Sequence, residues 1–578
     1  MKKKVFGFLQ KSDWGLFALC LGLIAGQVWL ELTLPDFMNK ITTLLQTGGE
    51  IGEILTNGAY MLLCSLGSLA LSLIVGFCSA RIAAGLGKRV RFGIYSQVST
   101  FSKQEIRKFS TASLVTRCTN DITQIQMFVS MGLQVLIKAP ILSVWSICKI
   151  LGKSWQWSAV TGVAVAFLLL FVTIVIILCL PKFKVIQRQT DDLNRVTRES
   201  LTGMRIVHAF NAEDYQQNKF QKVNGALYKT HLFTSSTLSF MSPVMHMLTG
   251  GLSLAIYWVG ATIISNAAPI DKIGLFSDMA VFMSYAMMII SSFIMLVFIF
   301  MQLPRAIVSM RRIEEVLNTE SSIKSGEGVQ TTEEGTIEFR GVDFKYPDGK
   351  EMVLSNINLK IEKGETVAFI GSTGSGKTTL VDLVPRFYDP TKGEVLVDGE
   401  NVKNFTLKDL HNRIGYVSQK AILLSGTVVD NVTMGKDIEP SDVLKAIEHA
   451  QAKDFVQKME NKEESIIYQG GKNISGGQKQ RLSIARAIAK KPEVIIFDDS
   501  FSALDYKTDK KLRKALDMEL ADTTCLIVAQ RIGTIKNADK IVVLDKGKIV
   551  GIGKHDELLE NCEVYKEIAL SQLNKEEL

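Results

Sequence analysis

The sequence contains no C-x-x-C and no H-x-x-x-H pair. Its eight cysteines, Cys20, Cys64, Cys78, Cys118, Cys148, Cys179, Cys525 and Cys562, stand singly, mostly in or beside apolar runs. There a thiol behaves as a small hydrophobe, and such spacing offers neither a disulfide framework nor a metal cluster. The six histidines are scattered, which argues against a zinc site. A strong charge excess is also missing. Lys and Arg number 66 against 58 Asp and Glu, a net charge of +8. That excess suits a nucleic acid or a membrane surface, and the placement of the basic residues decides between them. No small-residue cleavage site follows Met1-Lys2-Lys3-Lys4 and the first apolar stretch. The start therefore reads as an uncleaved first span and not as a signal peptide.

What is abundant is apolar sequence: 47% of the 578 residues are hydrophobic, and the mean hydropathy is +0.19. The length predicts two or more domains. Six apolar runs reach the roughly 20 residues that a bilayer crossing requires. They are placed near 14–34, 54–79, 126–150, 156–180, 240–264 and 275–302. The segment 81–123 holds eight Lys and Arg and the segment 181–237 holds nine. By contrast, 35–53 has only Lys40 and 265–274 only Lys272. The basic segments are therefore expected in the cytoplasm, with both termini inside. The basic excess then serves topology, and a nucleic-acid partner is not expected. The two long cytoplasmic connections read as helices carrying the spans beyond the membrane, with Gly and Ser breaks near 109–113 and 200–203.

After a charged linker at 303–334 the texture changes to short β-rich runs alternating with helical patterns, as in an α/β domain. The chain divides into a transmembrane domain over 1–320 and a second domain over 335–578. The expected fold class is a six-span α-helical membrane domain plus an α/β P-loop NTPase domain. The strand Val367–Ile370 runs into Gly371-Ser372-Thr373-Gly374-Ser375-Gly376-Lys377-Thr378-Thr379, which fits the P-loop G-x-x-x-x-G-K-[ST]. Its glycines let backbone N–H groups curl round phosphate oxygens, and the following helix aims its positive end at them. Lys377 is expected on the β- and γ-phosphates of ATP and Thr378 on Mg²⁺. A second apolar strand, Val494–Phe497, ends in Asp498-Asp499, with Asp498 placed to hold Mg²⁺ through water.

Between these motifs lies Ile474-Ser475-Gly476-Gly477-Gln478, where the chain resembles the ABC transporter family, whose signature has Leu where Ile474 stands. The resemblance extends to three further positions. Tyr346 matches the aromatic that stacks on adenine. Gln419 in Gly415–Gln419 matches the Q-loop, which also reaches Mg²⁺. Ser502-Ala503-Leu504-Asp505 matches the D-loop. The membrane half resembles the exporter branch, and Glu199–Phe210 is similar to the approach to its second coupling helix. Two positions depart from the pattern. Asp499 stands where the family usually has the Glu that polarises the attacking water, and Gln530 where it usually has the switch His.

In that family each ATP lies between the P-loop of one domain and the signature of another. An intact Ser475–Gln478 beside altered hydrolytic residues implies one half of a heterodimer. Its own site would bind ATP but turn it over slowly, while its signature completes a competent site on a second half-exporter. The resemblance implies export of a lipophilic compound from a cell membrane, with lipid as surroundings. A lipid or peptide exporter of the same architecture stays open, although no peptidase domain precedes the spans. A non-transporting sensor switched by ATP also stays open.

Weaker signals are absorbed without function. The tail Lys575–Leu578 and the sequons at Asn431 and Asn473 belong to a cytosolic domain. Lys138, inside the third apolar run, could face a cavity or partner or sit on a cytoplasmic extension. Met283, Met287, Met288, Met295 and Met301 make the sixth run adaptable, as a polyspecific cavity or as ordinary packing requires.

Overall fold

A computed structural model of the chain describes residues 4–151, 154–268 and 271–572. The side chain of Met301, Lys2 and Lys3, and the tail 575–578 lie outside the described residues. The chain forms two compact units, Met1–Gln97 with Ala112–Thr319, and Val98–Thr111 with Glu320–Leu578.

The first unit is helical: α1 (Lys11–Thr47), α2 (Ile51–Ser99), with α3 (Lys103–Phe109) falling in the second unit, then α4 (Thr111–Thr116), α5 (Ile122–Ile150), α6 (Trp155–Thr202), α7 (Met204–Ala209), α8 (Glu213–Ser239), α9 (Met241–Asn266) and α10 (Lys272–Leu317). Among the described residues six stretches are long and apolar enough to cross a membrane: 11–47, 51–99, 111–150, 155–202, 213–266 and 272–317. Hydrocarbon offers backbone amides no partner, so apolar runs of this length close their hydrogen bonds within the helix. The helices continue past the apolar runs, and α1 passes through Pro35 to end at the left-handed Gly48. A proline there lacks one N–H and leaves the carbonyl of Glu31 without its helical donor. The unit's core gathers Ile24, Val28 and Leu32 of α1, Trp157 of α6, Ile256 of α9, and Phe282 and Tyr285 of α10. Trp157 and Phe282 meet with ring centroids 5.5 Å apart. At the start of α1, Asp13 caps the helix and pairs with Arg89 of α2.

The second unit is α/β. Its strands are β1 (Ile337–Phe344), β2 (Leu354–Ile361), β3 (Thr366–Gly371), β4 (Lys392–Val397), β5 (Glu400–Asn401), β6 (Ile414–Val417), β7 (Gly426–Thr427), β8 (Ile466–Ile467), β9 (Val494–Asp498), β10 (Thr524–Val528), β11 (Lys540–Asp545) and β12 (Lys548–Gly553). A six-stranded sheet has the order β12-β11-β3-β10-β9-β6, parallel except for β12. A four-stranded antiparallel sheet has the order β2-β1-β4-β5. Strand β9 is buried over its whole length, and β3 is buried from Val367 to Ile370. Covered parallel strands read as continuous apolar runs for this reason. The strands β3, β9 and β10 lie side by side, so the ends of β3 and β9, which carry the P-loop and the paired aspartates, open on one edge.

One charge cluster of this unit centres on Arg413, which donates to the fully buried Asp398 at 2.7 Å and to Glu493 at 3.1 Å. Removing one member of a buried pair leaves the other charge desolvated and unmet. Arg413→Met is expected to destabilise this unit by about 3 kcal/mol. The denaturant midpoint of the full chain, followed by a probe in the second unit, checks it. An unchanged midpoint would mean that Asp398 is satisfied without the guanidinium.

Candidate nucleotide site

The loop after β3 admits no side chain at two of its glycines. A Cβ on Gly371 would stand 2.0 Å from the Leu544 carbonyl oxygen. Gly376 holds φ +100°, and a Cβ there would stand 2.7 Å from Leu354 Cδ2. Within the loop Lys377 is buried, and its ammonium donates to the carbonyls of Gly371 and Ser372, both at 2.8 Å. Burial lowers its pKa, opposed by the carboxylates of Asp499 and Asp498. A cation held by two loop carbonyls and, at 3.4 Å, the Ser375 hydroxyl is poised to exchange them for phosphate oxygens.

Thr378 donates its hydroxyl to Asp498 Oδ1 at 2.7 Å, joining the P-loop to the end of β9. Burial raises the Asp498 pKa, and the hydroxyl of Thr378 counters it. Thr379 meets the hydroxyl of Tyr346 at 2.8 Å. The Tyr346 ring is fixed edge-on by Phe344 and Tyr388, with centroids 5.0 and 5.3 Å away. These groups border a cleft of about 380 Å³ that also takes in Gln419, Asp499 and Gln530. The positions singled out from three separate motifs thus come together.

Asp499 follows β9 in the left-handed region, φ +49°, a conformation that Asp tolerates better than most residues. Its buried carboxylate accepts from both amides on a single oxygen: Gln419 Nε2 at 3.0 Å and Gln530 Nε2 at 2.9 Å reach Oδ2. Carboxamides donate hydrogen bonds, but they neither release a proton nor carry a charge.

The signature segment stands apart from this cleft's lining. Ser475 caps the helix Gly476–Ala489, its hydroxyl facing the Gln478 N–H at 3.4 Å while Gln478 Oε1 accepts from the Ser475 N–H at 2.8 Å. Ser475 and Gly476 are exposed. A Cβ on Gly476 would meet nothing within 4 Å, and one on Gly477 only Ala503 O at 3.4 Å and Leu504 Cδ2 at 3.7 Å. The chain's own packing does not demand these two glycines.

Sequence reading missed the contacts of α3. Lys103 donates to both oxygens of Asp382 at 2.9 Å, and its ammonium lies 4.3 Å from the Phe387 ring centre. Asp382 is buried on the helix that starts at Lys377, and it also accepts from the Tyr416 hydroxyl at 3.0 Å. The Tyr416 hydroxyl in turn lies 3.4 Å from Asp498 Oδ2. Arg107 of α3 lies over Tyr346, its guanidinium carbon 5.6 Å from the ring centre. One signal was available: Asp382 is the only charge in the run Leu380–Val384.

Comparison with known proteins places this geometry. Residues 354–502 match the ABC transporter family and 16–293 its transmembrane region. An uncharacterized ABC transporter ATP-binding protein of Mycobacterium tuberculosis is 36% identical over 571 residues, spanning 96% of both chains. The chain is an ABC transporter.

Two further relatives are each 29% identical to the transporter. The ATP-dependent lipid A-core flippase of Hahella chejuensis aligns over 96% of this chain and 94% of its own. A multidrug resistance ABC transporter ATP-binding and permease protein of Lactococcus lactis aligns over 96% and 93%. The solved structure of a bacterial Atm1-family ABC exporter with ATP bound superposes with a TM-score of 0.80 at 20% identity, over 97% of this chain and 98% of that one. The transporter therefore has the Atm1-type exporter fold, six apolar membrane stretches and an ATP-binding domain. It is a multi-pass membrane protein and, as an ABC transporter, an ATP-hydrolysing translocase.

The α3 contacts give a test within this unit. Lys103→Met removes a bidentate, charge-assisted contact to a buried carboxylate, worth about 1.5 kcal/mol. Amide exchange across 103–109 should quicken about tenfold, while ATP affinity changes less than twofold. Unchanged exchange would show that the apolar contacts of α3 suffice.

Proposed function

We propose that this transporter is one half of a heterodimer that exports lipophilic compounds, and that its own ATP site binds nucleotide but hydrolyses it slowly. The observation that carries this reading is the pair of carboxamides, Gln419 and Gln530, closed on one oxygen of Asp499. In an active site that carboxylate must turn toward water, and a partner able to take up charge must stand beside it. Here the carboxylate is one methylene shorter than Glu, and a displacement of about 1 Å can lower a rate ~100-fold. Gln530 supplies no proton and no positive charge.

In this reading Tyr346 stacks on adenine, and the loop from Gly371 to Thr379 cradles the phosphates with Lys377 on the β- and γ-groups. Thr378, Asp498 and Gln419 would hold Mg²⁺, which supplies charge neutralisation between those phosphates. All three offer oxygen ligands, as that cation requires. Burial disfavours the ionised carboxylate of Asp498, and a cation beside it would offset that cost. Ser475, Gly476, Gly477 and Gln478 would meet the ATP of the partner subunit. The exposure of Ser475 and Gly476, and the absence of any internal need for the two glycines, support an external role. We assign the membrane domain to 1–320 and the ATPase domain to 335–578. Both termini lie in the cytoplasm of a cell membrane, from the basic segments 81–123 and 181–237.

Relatives named for a lipid and for drugs are equally similar, and both kinds of cargo are lipophilic. The reading orders two variants. On matched, fully assembled heterodimers, Gly477→Asp should lower ATPase ~100-fold or more, because its carboxylate faces the partner's bound phosphate in a closed site. Asp499→Asn should change the rate only severalfold. If Asp499→Asn is the more damaging, hydrolysis runs at this chain's own site and the assignment is reversed.

A further inference from the structure

Two ion pairs link α1 and α5 along their apolar stretches. Glu31 accepts from Lys138 at 2.8 Å, and Asp36 from Lys149 at 2.6 Å. Charge inside a span is expensive to insert and normally marks a working site. An ion pair held out of water is also weak evidence for stability, since apolar replacements of similar volume often serve as well.

The two pairs differ. Asp36 is satisfied on both oxygens, by Lys149 on Oδ2 and by the Tyr285 hydroxyl on Oδ1 at 2.7 Å. Glu31 is loaded on one side only. Its Oε1 accepts from Gln27 Nε2 at 3.0 Å, Ser68 Oγ at 3.1 Å and Lys138 Nζ. Gln27 is 6% exposed and Ser68 8%. Two buried neutral side chains from α1 and α2 are thus committed to holding this carboxylate. Among the described residues nothing meets its Oε2, and the side chain keeps 22% of its surface open. Pro35, four residues on, also leaves the Glu31 carbonyl without its helical N–H. The position therefore presents one carboxylate oxygen without a donor, on a group whose charge is shared with Lys138. Lys138 has Glu31 as its single ion-pair partner among the described residues, whereas Glu31 keeps two neutral donors without it.

We propose that Glu31 is a recognition point for lipophilic organic cations, which take Oε2 while Lys138 holds Oε1 in the resting state. The inference deepens the exporter reading by naming a substrate class, and it rests on that reading only for its place in transport. Charge sets the class: a cation at Oε2 gains the attraction of a carboxylate in a medium far less polar than water. A zwitterion of the same shape brings its own carboxylate against Glu31.

Rhodamine 6G and its de-esterified form rhodamine 19 share one ring system and differ by that carboxylate. Fluorescence polarization on the full chain in detergent gives the dissociation constant of each. The wild type should prefer rhodamine 6G by about tenfold, the scale of one unscreened charge contact. Glu31→Gln should bring the ratio near one, and Lys138→Met should keep or enlarge it. The double variant E31Q/K138M leaves no lone charge in the span and should also lose the preference, so the test stands if E31Q alone fails to fold. A ratio near one in the wild type overturns the proposal, as does a preference that survives in the double variant. A preference for rhodamine 19 that Lys138→Met abolishes would make the lysine the recognition point, and overturns it too. Binding needs neither hydrolysis nor a partner subunit, so a negative result leaves the exporter reading untouched.

Discussion

Strand β9 is buried from end to end and finishes in two adjacent carboxylates, Asp498 and Asp499. Buried charge is tolerated only where donors or cations meet it. Much of the second unit's polar interior is organised to do that. Thr378 and Tyr416 turn to Asp498, Gln419 and Gln530 turn to Asp499, and the ammonium of Lys377 lies within electrostatic reach of both. The P-loop, the Q-loop and the switch segment come from distant parts of the sequence. Their common requirement is to satisfy these two carboxylates, and that requirement shapes the cleft.

The same constraint extends beyond the cleft. Asp382 is a third buried carboxylate, and its donors are Tyr416 and, from α3, Lys103. Tyr416 touches both Asp382 and Asp498, so a change of charge at one is felt at the other through a single hydroxyl. In the first unit the bilayer sets a different rule. Backbone groups are closed within helices, and the polar side chains that remain are gathered into small clusters such as the one around Glu31.

What the sequence revealed follows from range. The P-loop and the aspartate pair of β9 are contiguous segments whose chemistry is local, and both line or border the cleft. The six membrane stretches were legible because hydropathy is a property of a window. Their ends were not: the first run is placed to close at residue 34, yet α1 continues through Pro35 to Thr47. Strand β12 escaped notice because it is an edge strand carrying glycines at 551 and 553. The bond from Lys103 to Asp382 joins residues 279 positions apart, and no spacing rule reaches that far. The pairing of Lys138 with Glu31 has the same origin: the lysine stood out, but its partner is on another helix. The two substitutions at Asp499 and Gln530 were visible only against a family pattern. The geometry adds that Gln530, together with Gln419, donates to one oxygen of Asp499.

The central claim is that this chain's own nucleotide is hydrolysed far more slowly than the transporter turns over. Photolabelling with α-³²P-labelled 8-azido-ATP tests it directly. Assembled transporter is cycled with the magnesium nucleotide and cross-linked, and the labelled peptide around Tyr346 is separated. The nucleotide attached to that peptide is then identified. The account predicts the triphosphate there after many turnovers. Diphosphate on that peptide, formed at the rate of overall turnover, would contradict it.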